Sequence, residues 1–230
     1  MDSGRLLYKG SGCAMVTPFT KENTVDCAAL RKQAAFQLEN GTDALIVCGT
    51  TGEASTMDAR EQAEAVGMVV EAADGRVPVI AGVGGNDTAR AIRTCRQARS
   101  LGADAVLAVT PYYNKTTQAG LVAHFTALAE ASELPVLLYN VPSRTGLNLL
   151  PATAEELAAH ENIVGLKEAC GDIAQAAETI RRCGPRLPVY SGSDELTLPM
   201  LSVGGAGVVS VAANLVPRRM HRLCALYFDG

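Results

Sequence analysis

Eight short apolar runs punctuate the chain: CAMVTPF from Cys13, DALIVCG from Asp43, PVIAGV from Pro78, DAVLAVTP from Asp104, PVLLYNVP from Pro135, IVGLKEA from Ile163, PVYSGS from Pro188 and GVVSVAA from Gly207. They are nearly continuous rather than alternating, which is the pattern of strands buried on both faces of a parallel sheet. Stretches of helical period separate most of them. Cys27, Leu30, Ala34 and Leu38 share one helical face, as do Leu121, Phe125 and Leu128. Asp58 followed by Glu61 spells a capping box, and Asp87 or Thr88 is placed to cap the next helix. The phrases NGTDALIV and LGADAVLAV carry glycine at the helix-to-strand joint, and their echo along the chain fits two βα units. Eight such units predict an α/β fold, a closed (β/α)8 TIM barrel forming a single domain over residues 1–230, rather than a six-stranded doubly wound sheet. The seventh unit is compressed. The eighth helix, PRRMHRLCALYFDG, stops at Gly230 and is expected to be short or incomplete.

Composition removes several classes of function. Apolar residues make up 48% of the 230 and charged residues 19%, ample material for a core. The net charge of −4 gives no electrostatic case for nucleic acid or an anionic membrane. The opening MDSGRLLYKG lacks the apolar segment of a signal peptide, and no apolar run approaches membrane-spanning length, so a cytoplasmic location is expected. Seven cysteines (Cys13, Cys27, Cys48, Cys95, Cys170, Cys183, Cys224) stand singly, which suits reduced, buried thiols better than a disulfide framework or a zinc site. The three histidines, His124, His160 and His221, are isolated, and no metal site is expected.

Barrel sites are built where strands end and the following loops begin. Those points read TPF, GTTGE, GVGGND, TPYYNK, YNVPSRTG, KEACGD, SGSDE and AAN. GVGGND is a poor dinucleotide fingerprint, because Asp87 stands where a third glycine is needed. SGSDE with GGAG is a poor phosphate cup, because GGAG precedes its strand. The chain has five lysines. Lys9, Lys21 and Lys32 fall in the leader, a polar loop and a helix, and Lys115 follows a polar loop. Lys167 alone follows an apolar strand without a break. Desolvation there should lower its pKa, as a Schiff-base nucleophile requires. On the residues alone, a salt bridge from Lys167 to Glu168 or a neighbouring acid is an equal alternative. An imine on an α-keto acid yields an enamine, and Tyr139 at the adjacent strand end could serve as acid and base. Thr50 and Thr51 could pass a proton or bind a carboxylate, or could simply shape a turn. Arg144 could clamp a carboxylate bidentately, or be a surface arginine.

The motifs GTTGE, TPYYNK, LLYNVPSRTG, GLKEA and SGSDE, in this order and spacing, resemble the family of dihydrodipicolinate synthases and N-acetylneuraminate lyases. The likeness runs from about Gly10 to the end of the chain. It implies a lyase of the class I aldolase type in which Lys167 forms an imine with pyruvate and Tyr139 donates and accepts the proton. Thr50 and Tyr113 would complete the relay, Tyr113 reaching into a neighbouring subunit. Thr51 and Val209 would contact pyruvate, Gly192 would line the site through its backbone, and Arg144 would bind the carboxylate of aspartate-4-semialdehyde. GTTGE and the arginine of VPSRTG favour the synthase over the sugar-acid lyases. The implied product is 4-hydroxy-tetrahydrodipicolinate, on the way to lysine and diaminopimelate. No cofactor is implied beyond the covalent lysine imine, and a homodimer or homotetramer is expected. Relatives of this kind continue into a C-terminal helical region that is absent here, so a catalytically silent barrel is the alternative. The allosteric pocket of lysine-inhibited synthases carries acidic and histidine side chains, whereas the matching positions here are Ala59, Gln62 and Arg90, with Asn86 and Tyr112 kept. Weak or absent lysine feedback is expected.

Overall fold

The structure, a computed structural model, describes residues 6–230. Eight parallel strands close into a barrel in chain order, each hydrogen-bonded to the next and the eighth to the first: β1 (Gly10–Ala14), β2 (Ala44–Val47), β3 (Val79–Gly82), β4 (Ala105–Val109), β5 (Val136–Asn140), β6 (Ile163–Glu168), β7 (Val189–Ser191) and β8 (Gly207–Ser210). Helices wrap the outside: α1 (Cys27–Glu39), α2 (Ala59–Ala73), α3 (Thr88–Ser100), α4 (Gln118–Ser132), the single turn α5 (Pro142–Thr145), α6 (Pro151–Leu157), α7 (Ile173–Cys183), α8 (Thr197–Ser202) and α9 (Pro217–Asp229). The compressed seventh unit is the six-residue α8, and α9 runs 13 residues, the length of α1 and α3.

Two apolar layers follow from strand alternation. Val136, Leu138, Leu166, Val189 and Val208 face the helices, where Leu121, Phe125 and Leu128 of α4 are fully buried. Each such side chain contributes about 1.5–3 kcal/mol of burial. Ile46, Ile80, Leu107, Leu137, Tyr139, Tyr190 and Val209 fill the barrel interior. Tyr8 enters from outside the strands and stacks on Tyr190 at 4.4 Å between ring centroids. The Tyr190 hydroxyl donates to the Tyr8 carbonyl at 2.7 Å.

The repeated phrase has one structural meaning in both places. Gly41 and Gly102 adopt positive φ (+81° and +86°) just past α1 and α3. The aspartate two residues on then accepts a backbone N–H from the preceding strand: Ser11 to Asp43 at 2.7 Å and Val79 to Asp104 at 2.8 Å. The capping box forms as expected, with Asp58 accepting from the Glu61 N–H and Glu61 from the Asp58 N–H, both at 2.8 Å. Asp87, not Thr88, caps α3. Two boundaries differ from expectation. β1 begins at Gly10, three residues before its apolar run, and the run leaves the sheet after Ala14. On α1 the buried position next to Leu38 belongs to Gln37, whose amide donates to the Ala213 carbonyl at 2.8 Å and accepts from Thr42 at 2.6 Å.

Candidate active site

Residues at the strand ends alternate between barrel and helices, and that alternation separates Lys167 from Glu168. Lys167 is the cross-strand partner of both Tyr139 and Tyr190, on the interior face. Its side chain is 5% exposed, and Nζ lies 4.1 Å from the Tyr139 ring centroid. Burial lowers its pKa to about 8; the charge of Asp194 opposes this, and Arg144 adds to the lowering. Lys9, Lys21, Lys32 and Lys115 are exposed. The alternative of an ion pair with Glu168 is not what forms. Glu168 faces the helices and takes its hydrogen bonds from Asn140, Cys170 and Gln175.

Tyr139 has its pKa raised by burial, while Arg144 and a hydrogen bond with Thr50 hold it down. These three residues line one cavity of about 330 Å³ at the rim, which continues past Tyr112 and Asn86 to Arg90. Lys167 sits behind the Tyr139 ring rather than among the lining residues. Gly192 packs against it. A Cβ at Gly192 would stand 3.2 Å from Lys167 Cε and 2.6 Å from the Ala169 Cβ, so no larger residue fits unchanged. The Gly192 N–H donates to the Glu168 carbonyl at 2.7 Å, and Val209 is fully buried in the same interior cluster as Tyr139. Thr51 is half-buried beside Thr50 and does not line the cavity. Tyr113 is 90% exposed at φ +66°, outside the cavity of its own chain.

Two polar clusters escaped the sequence reading. Asp194 accepts from the Ser210 hydroxyl at 2.5 Å and from the N–H groups of Val211 and Ala212 at 3.1 and 2.9 Å, tying the seventh loop to the eighth. Asn140 bonds both oxygens of Glu168 across β5 and β6. A carboxylate inside an apolar strand was the available signal for the second; its partner needed the strand register. Among the described residues, no group of three or more His, Cys, Asp or Glu could hold a metal ion, and no helix is long and apolar enough to cross a membrane.

A closed parallel barrel with a desolvated lysine, a tyrosine and an arginine gathered at its C-terminal rim is a (β/α)8-barrel enzyme, a lyase by its relatives. The chain belongs to the dihydrodipicolinate synthetase family, whose profile matches residues 7–230. It is 52% identical over 225 residues to a 4-hydroxy-tetrahydrodipicolinate synthase of Thermoanaerobacter sp. (strain X514), covering 97% of this chain and 75% of that one. With the synthase of Geobacter sulfurreducens it shares 52% over 224 residues, 97% of this chain and 77% of that one. The crystal structure of dihydrodipicolinate synthase from Thermotoga maritima superposes with a TM-score of 0.95 at 44% identity, covering 98% of this chain and 77% of that one. The chain thus spans about three-quarters of the length of these relatives.

Proposed function

We propose that this protein condenses pyruvate with L-aspartate-4-semialdehyde to 4-hydroxy-tetrahydrodipicolinate, through an imine on Lys167 and with no other cofactor. The observation that carries the reading is Lys167 itself, the buried lysine among five, lowered to about 8 and set against Tyr139. At pH 7 about one molecule in ten then holds a neutral amine, against about one in three thousand at the ordinary lysine pKa. The free amine adds to the C2 carbonyl of pyruvate, and loss of water gives the imine. Removal of a C3 proton gives the enamine, whose carbon attacks the semialdehyde carbonyl. The amine of the semialdehyde then displaces Lys167 as the ring closes. Tyr139, in contact with Thr50, moves the protons; Thr51, Val209 and the Gly192 backbone shape the pyruvate end, and Arg144 at the mouth takes the semialdehyde carboxylate. Tyr113, exposed on its own chain, completes the relay in a second copy, which favours a homodimer or homotetramer. Seven unpaired thiols suit a cytoplasmic setting. The whole is one domain.

Borohydride reduction in the presence of pyruvate, followed by peptide mass analysis, tests the reading: the expected adduct is on Lys167, and folded protein without one defeats it. Arg144 separates the synthase from a sugar-acid lyase. Arg144→Ala is expected to lower kcat/KM for the semialdehyde about 10²-fold, the loss of a bidentate charged contact worth roughly 3 kcal/mol, while the pyruvate adduct still forms.

A further inference from the structure

Behind the reactive lysine, on the helix side of the same strands, lies a buried carboxylate that the chemistry above does not use. Glu168 is 3% exposed. Its partners are neutral donors: Asn140 Nδ2 at 3.0 and 3.1 Å to its two oxygens, the Cys170 N–H at 2.8 Å and Gln175 Nε2 at 3.4 Å. Burial raises its pKa, and these donated hydrogen bonds oppose the rise. Asn140, fully buried, also accepts the Leu149 N–H at 2.9 Å and donates to Asn148 at 2.8 Å. Asn148 and Gln175 exchange hydrogen bonds at 2.8 and 3.1 Å. One network therefore joins the ends of β5 and β6, the start of α7 and the loop before α6.

The register gives this network its meaning. Tyr139 and Lys167 are cross-strand partners, and the next pair along is Asn140 and Glu168. The ladder between these strands shifts register at Val136/Leu137, so the main-chain bonds alone leave an irregular seam. Side-chain bonds at its far end pin it one residue from the chemistry. Glutamine would not serve as well. It offers one acceptor oxygen, and its amide would face the Cys170 N–H or amides whose own oxygens are already committed, Asn140 Oδ1 to the Leu149 N–H and Gln175 Oε1 to Asn148.

We propose that Glu168, acting with Asn140, is a positioning residue for the condensation, fixing the separation and register of Lys167 and Tyr139. The proposal rests on the Schiff-base reading of Lys167. Neither Glu168 nor Asn140 lines the cavity; both act through the two strand ends.

The test compares Glu168→Gln and Glu168→Asp in turnover, thermal unfolding and pyruvate trapping. For folded Glu168→Gln, kcat is expected to fall about 10²-fold, the effect of a displacement of about 1 Å at the reacting groups. The semialdehyde KM stays near the wild-type value, and the trapped imine forms more slowly in step with kcat. Glu168→Asp, which keeps an acceptor-only carboxylate, retains more activity than Glu168→Gln. Adding Asn140→Ala to Glu168→Gln costs little more than either change alone, because both break one network. Folded variants with wild-type kcat, or losses that add in the double variant, overturn the proposal. Loss of the fold in both Glu168 variants also overturns it, assigning the network to stability alone. Trapping on the wild-type protein separates the two readings. No adduct there defeats the Schiff-base chemistry and this role with it; an adduct there with fully active variants defeats only the positioning role.

Discussion

Lys167 reaches its reactive state at a cost to the fold. In the unfolded chain its ammonium is hydrated and titrates near 10.5; in the barrel burial brings it to about 8. Between those values the unfolded chain binds the extra proton, so stability rises with pH from about 8 to about 10.5 and the full penalty stands below 8. At pH 7 that penalty is on the order of 3 kcal/mol. Lys167→Met, which fills similar space without charge, is therefore expected to unfold at higher denaturant concentration than the wild type while losing the pyruvate adduct altogether. Denaturant titration at pH 7 checks the gain; equal or lower stability of the methionine variant refutes it. Under the proposed imine chemistry the same residue also governs the rate. Activity should climb as pH rises toward 8, where the free amine ceases to be the minority form.

Among the elements, the joint of α3 and α4 carries a second titrating group with the same sign of pH dependence in a lower window. His124 of α4 has Nδ1 2.8 Å from the Thr88 hydroxyl, and its buried Nε2 has no partner among the described residues. Burial lowers its pKa to about 4. The unfolded chain takes up this proton near 6.5 and the native state only near 4, so stability present above 6.5 is lost as pH falls through that window. At pH 5 the loss is about 2 kcal/mol. His124→Gln keeps a partner for Thr88 without the titration, and its melting temperature should fall less than that of the wild type between pH 7 and pH 5. Parallel falls would assign acid sensitivity elsewhere. Elements of this kind were legible where bulk and period agree, as in Leu121, Phe125 and Leu128 of α4. They were misplaced where the buried residue is small or polar. β1 opens with Gly10, Ser11 and Gly12, which carry no apolar signal, and buried Gln37 has its amide bonded to the Ala213 carbonyl.

For the whole molecule, the rim was legible because a closed parallel barrel turns a list of strand ends into a place. Thr50 meets Tyr139 and Arg144 in one cavity although it follows β2 and they come at and after the end of β5, far along the chain. What stayed hidden was whatever depends on which residues meet from distant parts of the chain. Examples are the Asn140–Glu168 pair across β5 and β6, and the closure in which Tyr8 stacks on Tyr190 and Lys9 sits 3.9 Å over the ring of Phe228. The shared cavity also bears on regulation. Beyond Tyr139 it runs to Gln62, Asn86, Arg90 and Tyr112, all of which stand at positions where the resemblance implied lysine contacts. Its charged lining is Arg90, Arg144 and Asp87, and the Asp87 carboxylate already accepts the N–H of Arg90 as the cap of α3. An entering lysine ammonium therefore meets two guanidiniums against a single carboxylate, which is engaged as a helix cap. Like charges a few ångströms apart near a protein surface repel by a few kcal/mol, enough to weaken micromolar affinity to about millimolar. Turnover is accordingly expected to be unchanged at micromolar L-lysine. Arg90→Glu, which supplies the missing acid on the exposed side of the cavity, should make turnover measurably sensitive to it. Micromolar inhibition of the wild type in a coupled assay would refute the argument. An Arg90→Glu variant as indifferent as the wild type would show that charge is not what excludes lysine.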